Sequence, residues 1–154
     1  MTHSSGRPLQ ILFVCIGNSC RSQMAEAWAN HFGKGRVLAH SAGLHPLGVI
    51  TEETYNVMSE KGIHLGGQCS KGLHDVDVAA MDILVGMGCE VACPVPADFK
   101  GRVVEWEIPD PYGRSLEFFR KVRDMVERQV QQLLADLMAP NAPPKTNATK
   151  DATV

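Results

Sequence analysis

The stretch "LQILFVCIGNSCRSQMAEAW", residues 9–28, decides most of how this chain is read. Residues 9–15 are mostly apolar and rich in β-formers, the composition of a strand covered on both faces. The period then changes. From Ser22 onward Met24, Ala25, Trp28 and Phe32 follow helical spacing, and Gly33 and Gly35 stop the helix. Between strand and helix lies a short loop, residues 16–21, in which Gly17 and Asn18 tolerate the unusual backbone angles of a tight turn.

Working outward, the same alternation recurs. "RVLAHSAG" (36–43) reads as a second strand ending in a glycine turn, and "VITEETYNVMSEKG" (49–62) as a helix with Thr51 at its N-cap and Gly62 at its end. "MDILVGM" (81–87) is a buried strand. "GRVVEWEI" (101–108) alternates, with Val104, Trp106 and Ile108 on one face, as an edge strand does. From Ser115, Leu116, Phe119, Val122, Val126, Val130, Leu133, Leu134 and Leu137 step by threes and fours, the apolar stripe of a long amphipathic helix. These elements predict an α/β fold: a single-domain, open, parallel four-stranded sheet with helices on both faces, spanning residues 1–138. "APNAPPKTNATKDATV", residues 139–154, offers almost nothing to bury and is expected to be a disordered tail.

The chain has 154 residues, 44% hydrophobic and 21% charged, with a net charge of −2. That balance gives no electrostatic reason to expect nucleic acid or an anionic membrane surface as partner. The apolar run before the loop is too short for a signal peptide, and no stretch approaches the ~20 residues of a membrane helix. A cytoplasmic location is therefore expected. In that reducing compartment Cys15, Cys20, Cys69, Cys89 and Cys93 are better read as catalytic, redox-active or metal-binding than as structural disulfides.

Ligands of open α/β sheets bind beyond the carboxyl ends of the strands, where Cys15 sits. Successive backbone N–H groups at a helix N-terminus make an anion site, and the helix dipole adds positive potential. Arg21 supplies a planar fork for two oxygens of a tetrahedral oxyanion. The same field favours the thiolate of Cys15, which then faces the bound anion as a nucleophile. Asp110, between Pro109 and Pro111, lies in a stiff loop after the last strand, where sites concentrate and a carboxyl can protonate a leaving oxygen; a plain turn aspartate before proline is the other reading.

With its "VCIGNSCRSQMAEAW" (14–28), the chain resembles the phosphate-binding loop of the low-molecular-weight protein tyrosine phosphatase superfamily, and within it the arsenate reductases built on that fold. "SAG" (41–43), "DILV" (82–85) and "DPYG" (110–113) fall in the order of that family, and the resemblance spans roughly residues 9–138. It implies Cys15 as nucleophile, Arg21 as oxyanion clamp, Ser22 as hydrogen-bond donor to the Cys15 thiolate and Asp110 as general acid. Cys15, Ile16, Gly17, Asn18, Ser19, Cys20 and Arg21 would cradle the oxyanion. Asn18 would hold the loop's shape through a contact to Ser41.

The two activities of the superfamily share their first step. A phosphatase hydrolyses the thiol adduct with water, whereas a reductase needs a second thiol to attack it and leave a disulfide. Cys20 discriminates poorly between them. The pair in "GCEVACP", Cys89 and Cys93, resembles the redox cysteines of arsenate reductases, although only three residues intervene. A fully extended segment of four steps spans ~13 Å, too long for a disulfide, so pairing of these two requires a turn. Packed cysteines or half of a metal site are the other readings of the pair, and with Cys15 and Cys20 it would make a Cys₄ zinc site, in which Arg21 has no role. Tyr112 points the other way, since tyrosine phosphatases line their substrate slot with aromatic residues. Trp106 is read as packing. Cys69, in a loop, is an unassigned thiol, and the six histidines show no ligand spacing. The expected reaction is thiol-coupled reduction of arsenate to arsenite, with hydrolysis of aryl phosphates as the alternative. No bound cofactor or metal is expected; the reductant would be thioredoxin, glutaredoxin with glutathione, or mycothiol.

Overall fold

A computed structural model describes residues 6–88 and 95–138. Cys89, Cys93 and the segment 139–154 lie outside the described residues.

Four strands, β1 (Leu9–Cys15), β2 (Val37–Gly43), β3 (Ile83–Met87) and β4 (Arg102–Trp106), form one parallel sheet in the order β2-β1-β3-β4. The expected four-stranded parallel architecture is the one found. β1 is central, and its side chains alternate between two cores. Leu9, Ile11, Phe13 and Cys15 face the larger one, Leu12 and Val14 the smaller, which is why this strand is apolar from Ile11 to Cys15.

The larger core is closed by α1 (Arg21–Phe32), α2 (Glu52–Ser59) and α3 (Leu116–Met138). α3 contributes Phe119, Val122, Val126, Val130, Leu133, Leu134 and Leu137, the stripe read from its sequence. Burial of each such side chain contributes roughly 1.5–3 kcal/mol. Among the described residues all three α-helices share this face. The opposite face is covered by two 3₁₀ turns, Leu73–Asp75 and Val78–Ala80, with Val78, Met81 and Phe99 packed on Leu12, Val14 and Leu84. Such single turns carry too little periodicity to be read from sequence.

Boundaries follow local chemistry. Thr51 caps α2, its Oγ1 accepting from the Thr54 N–H at 3.3 Å, so the helix starts at Glu52 and not at Val49. Ser115 does the same for α3, accepting from the Phe118 N–H at 3.1 Å. Gly33 ends α1 as expected. Trp106 lies in the core against Phe13, ring centroids 5.6 Å apart, on the edge strand β4. One charge on α3 is not on its solvent face: Arg123 is buried, donating to the Val57 carbonyl (2.9 Å) and to Glu60 (2.8 Å), and it ties α3 to α2.

Candidate active site

The loop between β1 and α1 closes around Cys15, which is 2% exposed at the carboxyl end of the central strand. Five consecutive loop carbonyls are held from outside. Cys15 O accepts from Leu44 N, Ile16 O from His45 N, Gly17 O from Leu47 N and Ser70 Oγ, Asn18 O from Gln23 Nε2, and Ser19 O from Thr51 N and Thr54 Oγ1. A trans peptide points its N–H opposite to its carbonyl. The N–H groups of residues 16–20 are thereby turned inward, toward the space above Cys15, as an anion cradle requires.

Asn18 is the one non-glycine residue with a left-handed backbone among the described residues, at φ 50°. It is fully buried. Its Nδ2 donates to Ser22 Oγ at 2.7 Å, and its Oδ1 accepts from Gln23 Nε2 (3.0 Å) and the Lys71 N–H (2.8 Å). Ser22 Oγ in turn lies 2.9 Å from Cys15 Sγ. The expected Asn18–Ser41 contact is not formed. Ser41 donates instead to Glu26 Oε1 at 2.6 Å, because Asn18 already spends both ends of its amide on α1 and on the segment before β3.

Arg21 is buried at the start of α1. Its Nη1 donates to the carbonyls of Met87 (2.7 Å), Ile108 (3.0 Å) and Gly88 (3.3 Å), which fixes the plane of the guanidinium from the ends of β3 and β4. Arg21 Nε is buried with no hydrogen-bond partner among the described residues. The Nε/Nη2 edge is thus the one available for a bidentate anion. Gly88, at φ 83°, makes this approach possible: a Cβ there would stand 2.7 Å from Arg21 Nη1 and from the Ile108 carbonyl.

Asp110, half exposed, faces Arg21 from the loop after β4, Oδ2 to Nη2 at 3.7 Å, and its Oδ1 accepts from the Tyr112 N–H. Between them opens a cavity of about 240 Å³. Its walls include Cys15, Ser19, Arg21, Asp110, Cys20 and Tyr112. His45 and Leu47, which sequence reasoning missed, also line it. Cys20 is buried near Thr51 Oγ1 (3.5 Å) and Ser19 Oγ (3.7 Å). Burial pushes its thiol up, against those hydrogen bonds, so Cys20 favours the neutral form. Cys69 is exposed in the loop behind the cradle. Among the described residues no cluster of histidine, cysteine or acidic side chains is arranged to hold a metal ion.

A parallel α/β sheet with a cysteine under a loop of inward amides, a fixed arginine and a facing carboxylate defines a class: thiol-dependent chemistry on a tetrahedral oxyanion. The sequence profile of the low molecular weight phosphotyrosine protein phosphatase family matches residues 10–142, and the chain belongs to that family. It is 35% identical over 134 residues to a glutaredoxin arsenate reductase of Synechocystis sp., covering 83% of this chain and 98% of that protein. A solved arsenate reductase in the phosphate binding state superposes with a TM-score of 0.73 at 35% identity, over 82% of this chain and 97% of that one. An arginine phosphatase, YwlE, solved with a phosphorylated active-site serine in place of cysteine, superposes with a TM-score of 0.75 at 25% identity, over 86% and 98% of the two chains.

Proposed function

We propose that this protein reduces arsenate to arsenite at the expense of thiols. The observation that carries the reading is the Cys15–Ser22 pair under the inward amides, opposite the Nε of Arg21, which has no partner among the described residues. Similarity to arsenate reductases over nearly their whole length supports the choice of substrate.

In this reading arsenate binds to the N–H groups of residues 16–20 and to the Nε/Nη2 edge of Arg21. The Cys15 thiolate, stabilised by Ser22, attacks arsenic and an As–O bond breaks. Asp110 delivers the proton that the departing oxygen takes up as water. A second thiol then attacks Cys15 Sγ. An S–S bond forms, the As–S pair of electrons stays on arsenic, and arsenic(V) becomes arsenic(III) while two thiols are oxidised to one disulfide. Cys89 and Cys93 are the candidate resolving thiols, in a segment that begins directly after Gly88, whose carbonyl accepts from Arg21. Cys20 is a weaker candidate, since burial favours its protonated form. Because one relative at 35% identity is a glutaredoxin enzyme, glutaredoxin with glutathione is the first reductant to assay, ahead of thioredoxin and mycothiol. A cytoplasmic location belongs to the same proposal; no helix among the described residues is long and apolar enough to cross a membrane.

Tyr112 favours a second reading. It stands 57% exposed on the cavity wall beside Asp110, where an aryl phosphate ester would stack. The deciding experiment runs arsenate-dependent NADPH oxidation, coupled through each thiol system, beside aryl phosphate hydrolysis. Arsenate reduction that Cys89→Ser or Cys93→Ser blocks, with hydrolysis unaffected, is the expected result. Aryl phosphate turnover with no arsenite formed under any thiol system would make the protein a phosphatase.

A further inference from the structure

The hydrogen bonds behind the cradle lead away from the reacting atoms to Gln23, a fully buried amide on the first turn of α1. We propose that Gln23 is a positioning residue for the nucleophile: its side-chain amide, keyed by residues 68–71, holds the Asn18 amide in the direction that the Lys71 N–H also demands, and so keeps the Ser22 hydroxyl a donor to the Cys15 sulfur. The inference rests on the reading of Cys15 as nucleophile.

Three backbone groups that cannot reverse set the order of donors. The carbonyls of Asn18 (3.1 Å) and Cys69 (3.0 Å) both face Gln23 Nε2, so this end must be the NH₂. The Lys71 N–H faces Asn18 Oδ1 at 2.8 Å, so that end of Asn18 must be the oxygen. Gln23 Nε2 donates to the same oxygen at 3.0 Å. The Asn18 NH₂ is left facing Ser22 Oγ, at 2.7 Å. Ser22 thus accepts from Asn18, and its own proton is directed at the sulfur 2.9 Å away. A hydroxyl that donates stabilises the thiolate over the thiol.

Gln68 locks the other end of the Gln23 amide, its Nε2 donating to Gln23 Oε1 at 2.8 Å and to the Gln23 carbonyl at 3.2 Å. Each of four consecutive residues, 68–71, makes such a bond to the loop or to α1: Gln68 and the Cys69 carbonyl to Gln23, Ser70 Oγ to the Gly17 carbonyl at 3.1 Å, and the Lys71 N–H to Asn18. The side chains that make up this relay are uncharged; the one charge that touches it is the Lys71 ammonium, which donates to the Cys69 carbonyl at 3.0 Å. The relay's effect on the sulfur is one of hydrogen-bond direction.

The test is the pH dependence of Cys15 alkylation by iodoacetamide in the full chain, followed at the Cys15 peptide by mass spectrometry. It needs no turnover, so it stands or falls apart from the arsenate reading, which the coupled assays decide. Gln23→Met keeps the length and removes the amide. The expected result is a profile displaced to higher pH, with alkylation near neutral pH slowed about tenfold. In a Ser22→Ala background, Gln23→Met should add nothing, because the effect runs through the hydroxyl. Profiles of Gln23→Met and parent that overlay would overturn the proposal, and so would full additivity with Ser22→Ala. Should circular dichroism show Gln23→Met unfolded, Gln68→Met carries the same test: a smaller displacement in the same direction supports the relay, and an overlay sinks it.

Discussion

Arg21 and Cys15 show how single side chains acquire a task here. Arg21 is buried, yet among the described residues its charge is offset by no salt bridge closer than 3.7 Å; carbonyl dipoles from Met87, Gly88 and Ile108 hold one nitrogen, and Nε has no partner there. A lysine at this position offers a point charge without the fork. Arg21→Lys is therefore expected to weaken competitive inhibition by phosphate about tenfold or more, losing one charge-assisted hydrogen bond. An unchanged inhibition constant would remove Arg21 from the oxyanion site. Cys15→Ser should abolish both arsenate reduction and aryl phosphate hydrolysis, because in the proposed mechanism both begin at this sulfur. Turnover by that variant in either assay would place the nucleophile elsewhere.

At the scale of elements, the cradle is shaped by what surrounds it. The end of β2 presses on it at Gly43, where a Cβ would lie 2.7 Å from the Ile16 carbonyl and 2.9 Å from Asn18 Cβ. The glycine of "SAG" is thus required by close approach of backbone, with no special torsion involved. Gly43→Ala is predicted to cost about 1–3 kcal/mol of stability through overpacking. It should lower turnover more than this loss explains, since the displaced atoms belong to the cradle. Chemical denaturation together with kcat checks it, and full activity in a folded variant would contradict it. From the opposite side, Thr51 and Thr54 at the start of α2 hold Ser19 and face Cys20, so the N-cap read from sequence also serves the site.

For the molecule as a whole, two glutamates oppose each other in the dependence of stability on pH. Glu60 is held at about 2 by Arg120 and Arg123, below its ordinary 4.5. A depressed carboxylate stabilises the fold above its unfolded value and loses that contribution as pH falls from about 4.5 toward 2. Glu26 is raised above 4.5 by burial, against the hydrogen bond from Ser41 and the charge of Lys71. Here the native state binds the proton more tightly than the unfolded chain. Stability falls as pH rises above 4.5, until the folded-state group is ionised too. Glu26→Gln should accordingly raise the melting temperature near pH 7 and leave it unchanged near pH 4. Glu60→Gln should lower it at pH 7 and matter little near pH 2. Thermal unfolding of the three proteins across pH 2–7 separates the two effects, and parallel curves would deny both.

The strands, the helices and the loop that brings Cys15 and Arg21 together are all legible in the chain, because each rests on local information. Apolar periodicity marks the elements, and one continuous stretch holds strand, loop and helix start within twenty residues. Asn18 is recognisable as a loop residue, but the partner expected for it, Ser41, answers to Glu26, and Asn18 to Ser22, Gln23 and Lys71. Gln23, Gln68, His45 and the inward face of Arg123 carried no pattern, since a polar residue on a predicted helix or loop reads as solvent-exposed until a neighbour is brought to it. Those neighbours lie some twenty to nearly seventy residues away in sequence. Periodicity depends on a residue's neighbours along the chain, whereas the direction of a hydrogen bond depends on groups that meet only when the sheet has assembled.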